Sequence, residues 1–405
     1  MRHSCKKLFA VLFLCAGILA GCATVIPSEY GATHQKDTIP GPILALAGDR
    51  DIVVAANPEG VYLREGQNPW RELEIPGITD IQKVTALAVA GKEICVGTDG
   101  EGVHVLSKGV WEIRTARYDG LPDDHVRSLA FDGPDEGLPG DNLWVGTETG
   151  LAIRSSGEWE TYSPEGEWML ALAEKVSEGE SSTYLGSGYG IAGQGEDSRS
   201  FRPPVTAISA GPGGVVFGGA NSRLAILSTG GLAAVRIMED VEILDILMEE
   251  DVIWMGTNGG LIWGGLSGRN LGAPWPAHRK DVSWRGDLFA TRDARPFLYQ
   301  WHVVGYNAGK VFSLARENES LWVAYGRPDP RAANLVGGED SGLRPITELR
   351  RYLSINDHIA RKQAFAYEIY SKKTGILGDA THVLFLPESG GVWVGTTDGL
   401  FFLEK

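Results

Sequence analysis

Cysteine is nearly absent from the working part of this chain. Cys5 and Cys15 belong to the N-terminal leader and Cys22 ends it, so one thiol remains beyond, Cys95, in the apolar run Glu93-Ile94-Cys95-Val96. That excludes a disulfide framework, a Cys-x-x-Cys-His haem attachment and cysteine-rich metal spacing. A lone thiol of this kind is a small hydrophobe. After Ala20 no apolar run is long enough to span a bilayer. Enzyme signatures are missing too: there is no Gly-x-Ser-x-Gly elbow, no His-Glu-x-x-His and no phosphate loop. No cofactor and no metal are expected. His34, His104, His125, His278, His302, His358 and His382 are scattered, and Asp123-Asp124 and Glu249-Glu250 read as exposed turns. Basic charge is in short supply, and losing Arg2, Lys6 and Lys7 with the leader takes the net charge from −15 to −18. Such acidity disfavours nucleic acid as a partner.

The leader itself is informative. Arg2, Lys6 and Lys7 precede the apolar run Leu8–Ala20, which is too short to span a bilayer and reads as a signal peptide. It ends in Leu19-Ala20-Gly21-Cys22, which resembles the bacterial lipobox. The resemblance implies removal of residues 1–21, lipid on Cys22 and a tether over 22–32. Ala23 replaces the aspartate that retains such lipoproteins in the inner membrane, which implies an outer-membrane anchor with the body facing the periplasm.

The body repeats one unit. Leu143-Trp144-Val145-Gly146-Thr147-Glu148-Thr149-Gly150-Leu151 returns as Ile253–Leu261 and Val392–Leu400. Alternating apolar residues make a strand, Gly-Thr ends it, a polar pair with Gly turns the chain and Leu starts the return strand. Further copies centre on Ala55, Gly97, Gly186, Gly218 and Ala324. With Gly146, Gly256 and Gly395 they recur at intervals of 42, 49, 40, 32, 38, 68 and 71 residues. The early intervals suit a four-stranded propeller blade of ~40 residues, and 54 Gly with 12 Trp suit many short strands and tight turns. The expected fold is all-β, one β-propeller over 33–405. It has eight four-stranded blades, or seven if the faint fourth (Leu170–Ser187) and fifth (from Val205) copies merge. The last copy lacks a fourth strand, and Ala32–Pro40 stands where one is needed, so an N-terminal strand should close the ring. The threonines at 98, 147, 257 and 396 are expected to bond their own turns, and Trp144, Trp254, Trp322 and Trp393 to pack between blades.

These residues resemble the two-component-regulator propeller repeat. Tyr118-Asp119-Gly120-Leu121-Pro122-Asp123-Asp124 and Leu143–Leu151 carry the resemblance best, with Tyr370–Asp379 and Val392–Leu400 next; Asp124 and Asp379 stand where the family has asparagine. The family implies a propeller with a recognition role, in some members for polysaccharide fragments. No kinase part follows within the chain.

Departures from the repeat are where function is expected. Insertions run over about 266–310 and 327–373. Arg269–Lys310 and Arg344–Lys373 each hold seven Lys/Arg against three acids, on an otherwise acidic ring. The second includes Thr347–Phe365, where Leu349, Leu353 and Ile359 predict a short amphipathic helix. Aromatic residues beside cations suit an anionic or glycan ligand. The candidate ligand or partner surface is Trp275, His278, Arg279, Lys280, Trp284, Arg285, Arg350, Arg351 and Arg361, with Cys22 as the lipid site. The expected function is a lipid-anchored envelope recognition or scaffold module for a protein partner or an anionic or glycan ligand; the alternative is an envelope lyase or hydrolase using the central funnel.

Overall fold

The computed structural model describes residues 25–26, 30–33, 39–132, 142–162, 204–211, 214–219, 223–228, 231–236, 242–249, 252–265, 283–285, 287–290, 300–304, 309–326, 348–361, 365–371 and 374–404. Among them the strands form seven sheets, each a meander running outward from an innermost strand A to an outer strand D. Blade one is Ala45–Asp49, Ile52–Asn57, Gly60–Glu65 and Arg71–Glu72. Blade two is Val84–Ala90, Glu93–Thr98, Val103–Ser107 and Val110–Arg114; blade three is Val126–Phe131, Leu143–Thr147, Leu151–Ser155 and Glu158–Tyr162. Blade four begins at Val205–Gly211, blade five at Ile243–Met248, blade six at Val311–Glu317 and blade seven at Ala380–Leu386.

The expectation of eight blades is overturned. Strand A of blade three docks directly on that of blade four, through a bond from Ser128 Oγ to Val205 O of 3.0 Å. No blade stands between them, and the expected fourth copy, Leu170–Ser187, lies outside the described residues. Nor do the fourth and fifth copies merge, since the fifth makes a complete sheet of its own, Val205–Gly211, Gly214–Gly219, Arg223–Ser228 and Gly231–Arg236.

The ring closes as the missing fourth strand requires. Gly31–Thr33 pairs antiparallel with the final strand Leu400–Glu404, Gly31 opposite Glu404 and Thr33 opposite Phe402. Pro40 then bridges Gly399 and the chain enters blade one. Just upstream, Val25–Ile26 adds to the outer edge of blade six, parallel to Ala366–Tyr370. The N-terminal segment thus straddles blades six and seven.

Among the described residues both insertions contribute strands to the blades. Leu349–Leu353 and Ala366–Tyr370 are strands C and D of blade six, and the helix between them is short, Ile355–Arg361. The short amphipathic helix expected within Thr347–Phe365 is corrected accordingly: Leu349 and Leu353 lie on a strand, and the helix holds Ile359 alone of the three. Leu349 and Leu353 sit two strand periods apart, and spacing alone does not separate that from one helical turn. In the first insertion Gln300–Val304 is strand D of blade five, Ser283–Arg285 adds a fifth strand there, and Asp287–Ala290 adds one to blade four.

What joins the sheets is repeated at nearly every seam. A bulge at the second residue of strand A breaks the register in blades two to seven, as between Val84 and Ala86 or Ile243 and Asp245. The bulge turns the first residue of A toward the preceding blade. There it lies against a glycine near the end of strand B: a Cβ on Gly97 would meet Val126 Cγ1 at 2.6 Å, on Gly146 Val205 Cγ1 at 2.7 Å and on Gly218 Ile243 Cδ1 at 2.8 Å. Glycine here is required by close approach of the next blade rather than by the turn. The threonines beside it do bond their own turns: Thr147 Oγ1 donates to Gly150 O at 3.0 Å and accepts from Gly150 N at 3.0 Å, and Thr98, Thr257 and Thr396 behave alike. The tryptophans pack across seams: Trp254 lies edge-on to Phe365 of blade six and Trp393 to Trp70 of blade one.

Candidate functional site

Polar residues of the innermost strands line the seams around the ring axis. Thr85 Oγ1 donates to Val126 O at 2.6 Å and Thr206 Oγ1 to Ile243 O at 2.6 Å. Asp245 accepts from Leu314 N at 2.6 Å across the next seam and from Ile246 N at 2.8 Å. Ser313 Oγ accepts from Val383 N at 3.2 Å, linking blades six and seven. Ile43 N donates to Thr396 O at 2.9 Å and Gly91 N to Asp49 Oδ2 at 2.6 Å, completing the circuit. Each seam is stitched. Buried hydroxyls and carboxylates that carry such bonds are satisfied structurally, and their loss would leave partners unpaired.

Asp245 and His382 are titratable members of this belt. Burial pushes the Asp245 carboxyl up to about 7, against the backbone N–H groups that favour its charged form. Burial pushes His382 down to about 4. The two have opposite linkage. A raised acid loses stability as pH rises through its folded value, and a depressed histidine loses stability as pH falls from 6.5 toward its own. Between pH 4 and 6.5 these two contributions oppose each other. Asp245→Asn should remove one side of the balance and leave stability rising with pH over that window, read by urea unfolding at pH 4.5, 5.5 and 6.5. A flat profile in the variant would count against the assignment. Among the described residues no three His, Cys, Asp or Glu side chains gather as a metal site would need.

The exposed chemistry is at one end of the ring, where the D-to-A connections meet the B-to-C turns. Gly100 N donates to Asp124 O at 3.0 Å, Glu148 N to His125 O at 3.0 Å and Thr397 N to Asp379 O at 3.0 Å, so these loops share one face. On blades two and three this face carries a charged cluster. His125 Nδ1 lies 2.6 Å from Asp123 Oδ1, and Arg127 reaches Asp99 at 3.2 Å and Glu148 through Nε at 2.6 Å. The Asp123 hydrogen bond holds His125 above its ordinary value. Burial works the other way on Asp123, but the backbone N–H and ring of His125 bring its carboxyl below the usual range. Around the same face three large apolar side chains stand in solvent: Tyr118 at 76%, Leu377 at 39% and Phe312 at 36% exposure. Phe312 is the bulge residue of blade six, its ring over Gly326; Tyr118 lies in the turn of helix Ala116–Asp119 under the Arg117 guanidinium, 5.1 Å away.

The surface expected from sequence falls only partly among the described residues. Trp275, His278, Arg279, Lys280 and Cys22 lie outside the described residues. Trp284 and Arg285 belong to the extra strand at the outer edge of blade five, opposite Trp301 and Gln300. Arg361 ends the blade-six helix. Arg350 and Arg351, neighbours on a strand, enter opposite seams. Arg350 lies over Tyr325 and Tyr367, 5.1 and 4.5 Å from the ring centres, and bonds Glu348 at 2.7 Å. Arg351 is 5% exposed between Glu317 and Glu368, with N···O distances of 2.9 and 3.2 Å. Its role as a contact surface is corrected to that of a buried counter-ion. Tyr30 of the N-terminal segment donates to Glu317, and Tyr370 donates to Glu368 at 2.7 Å. Sequence reasoning missed this cluster. Its signal was the acid closing strand A: Trp322 Nε1 donates to Glu317 at 2.8 Å, just as Trp144 Nε1 donates to Asp132 at 3.1 Å.

No helix among the described residues is long and apolar enough to cross a membrane. No family model matches the chain, and no curated protein matches it. Solved structures do. The extracellular domain of the hybrid two-component system BT3049 from B. thetaiotaomicron superposes with a TM-score of 0.53 at 11% identity, covering 94% of this chain and 41% of that one. This chain therefore spans about two-fifths of that domain's length. YCF48 from Cyanidioschyzon merolae superposes at 0.52 with 12% identity, covering 93% and 99%, and YCF48 bound to D1 peptide at 0.50 with 10% identity, covering 95% and 97%. At such identities the likeness is one of fold, and that fold is a single all-β propeller.

Proposed function

We propose that this chain is a lipid-anchored binding scaffold of the bacterial envelope that captures a protein partner on the face of its D-to-A and B-to-C loops. The observation that carries the reading is the placement of Tyr118, Phe312 and Leu377 in solvent on the same face as the His125–Arg127 cluster. Exposed aromatic and apolar anchors with nearby charge are the composition of protein-binding surfaces. The described polar groups of the axis, by contrast, are engaged in seam bonds, which favours a rigid platform over a catalytic funnel. YCF48, similar in fold, has been captured with a peptide. The glycan reading loses support from the inward turn of Arg350 and Arg351. The leader and Cys22 motif supply the address, with the outer membrane as the proposed site.

The test compares the native protein with a Tyr118→Glu, Phe312→Ser variant, recovered from crosslinked envelopes and read by mass spectrometry. Val110→Glu on the outer strand of blade two, 70% exposed and off this face, is the control. The expected result is a protein partner kept by native and control and depleted at least about tenfold in the double variant, the size that loss of one or two anchor side chains gives. Equal recovery by all three overturns the reading.

A further inference from the structure

The N-terminal segment does more than close the ring. Between Cys22 and Val25, the first residue paired on the outer edge of blade six, there are only Ala23 and Thr24. A chain spans at most ~3.5 Å per residue, so the step from 22 to 25 covers no more than about 10 Å. A tether left free to Thr33 would reach about three times further and let the ring tumble. It is not free. Val25 and Ile26 pair with Tyr367 and Glu368. Tyr30 is 4% exposed, packs edge-on against Trp322 with ring centres 5.3 Å apart, lies 5.0 Å from the Arg351 guanidinium and donates to Glu317. Gly31–Thr33 is already strand D of blade seven. Any group attached at Cys22 is therefore held within about 10 Å of Val25 on the outer edge of blade six.

Resting on the lipidation of Cys22 proposed above, we infer that the propeller stands edge-on upon the bilayer with the rim of blade six against the lipid surface. Both ends of the ring are then clear of the membrane, including the face of Tyr118, Phe312 and Leu377. A partner is met side-on at a fixed height above the lipid. The Tyr30 contacts act as the clasp: without them the slack before the ring grows to the length of the whole tether.

The chain provides its own labelling scheme. Lipidated Cys22 has no free thiol and Cys95 is fully buried, so a cysteine introduced at an exposed position is the reactive one. Asn356→Cys places a dye on the helix of blade six, and Val110→Cys places it on blade two, nearly across the ring. The lipidated variants are reconstituted in phosphatidylcholine vesicles with a quencher on the lipid headgroups. The expected result is quenching several-fold stronger from 356 than from 110, and a ratio falling toward one when Tyr30→Ala is added. Equal quenching from both sites, or a ratio that Tyr30→Ala leaves unchanged, overturns the inference. Mass spectrometry of the N-terminal peptide reads lipidation separately. Should Cys22 prove bare, the anchoring reading fails, and a polyhistidine segment placed before Ala23 on nickel-chelating vesicles tests the edge-on geometry by the same two dyes.

Discussion

Exchange of Arg351 for methionine is expected to destabilise the ring by about 3–5 kcal/mol, the cost of breaking a buried ion pair from one side. Two carboxylates, Glu317 and Glu368, are each 1% exposed and share this one guanidinium. Tyr30, Trp322 and Tyr370 donate further hydrogen bonds to these acids, and among the described residues the cluster holds two carboxylates to one guanidinium. Methionine keeps most of the volume and takes the guanidinium away from both acids. The pH dependence is the diagnostic. In the native chain burial raises Glu317, but Tyr30, Trp322 and Arg351 outweigh it and hold the carboxyl below its ordinary value. Its contribution is therefore present above the unfolded value and lost as pH falls through the folded one. In Arg351→Met the lowering by the guanidinium is lost and the folded value of Glu317 rises, so the deficit should be larger at pH 8 than at pH 5. Glu317→Gln leaves a balanced Arg351–Glu368 pair and should cost less than half as much. Urea unfolding of the three chains at both pH values measures this; a pH-independent deficit in Arg351→Met would place the cost in packing instead. Charge reversal at 350 and 351 would likewise unseat blade six, and is no probe of recognition.

That misplacement shows where sequence reading stops. Counting Lys and Arg in a segment weighs charge without direction, and on a strand consecutive residues face opposite sides. Leu349-Arg350-Arg351-Tyr352-Leu353 sends Arg350 and Tyr352 toward blade five and Arg351 toward blade seven. What was legible is what short-range chemistry fixes. The hairpin of Leu143–Leu151 and the turn bonds of its threonine follow from residues a few positions apart. The N-terminal closing strand was also legible, because the last copy ended one strand short. The number of blades was not, because a local repeat pattern does not reveal whether an inner strand finds a seam partner. Ser128 and Val205 are far apart in sequence, and their bond is what seats blade four beside blade three. The exposed face was missed for the same reason: Tyr118 and Leu377 are ordinary connection residues until the ring brings them to one side.

Gly256→Val is expected to cost more than about 3 kcal/mol, beyond the usual range for an overpacked core site, because nothing at the site can yield. A Cβ there would stand 2.7 Å from Val311 Cγ1 and 2.8 Å from Val311 O. The second contact is backbone, and it belongs to the strand whose Leu314 N is bonded to Asp245 across the same seam. Relief therefore means parting blades five and six, which also strips the cover from the cluster of Trp254, Val311, Tyr325 and Phe365. The ring itself suggests how small a step is tolerable. In blade six the equivalent residue is Ala324, and the first residue of the next blade is Ala380 where other seams have Val or Ile. Gly256→Ala should accordingly cost about 1–3 kcal/mol, and Gly256→Ala with Val311→Ala should cost less than the two single changes added, by 1 kcal/mol or so, as contacting sites that relieve one another do. A double-mutant cycle in urea decides it. Additive costs would mean that the glycine serves its own turn, and that the blades are held together by the polar belt and the tryptophans alone.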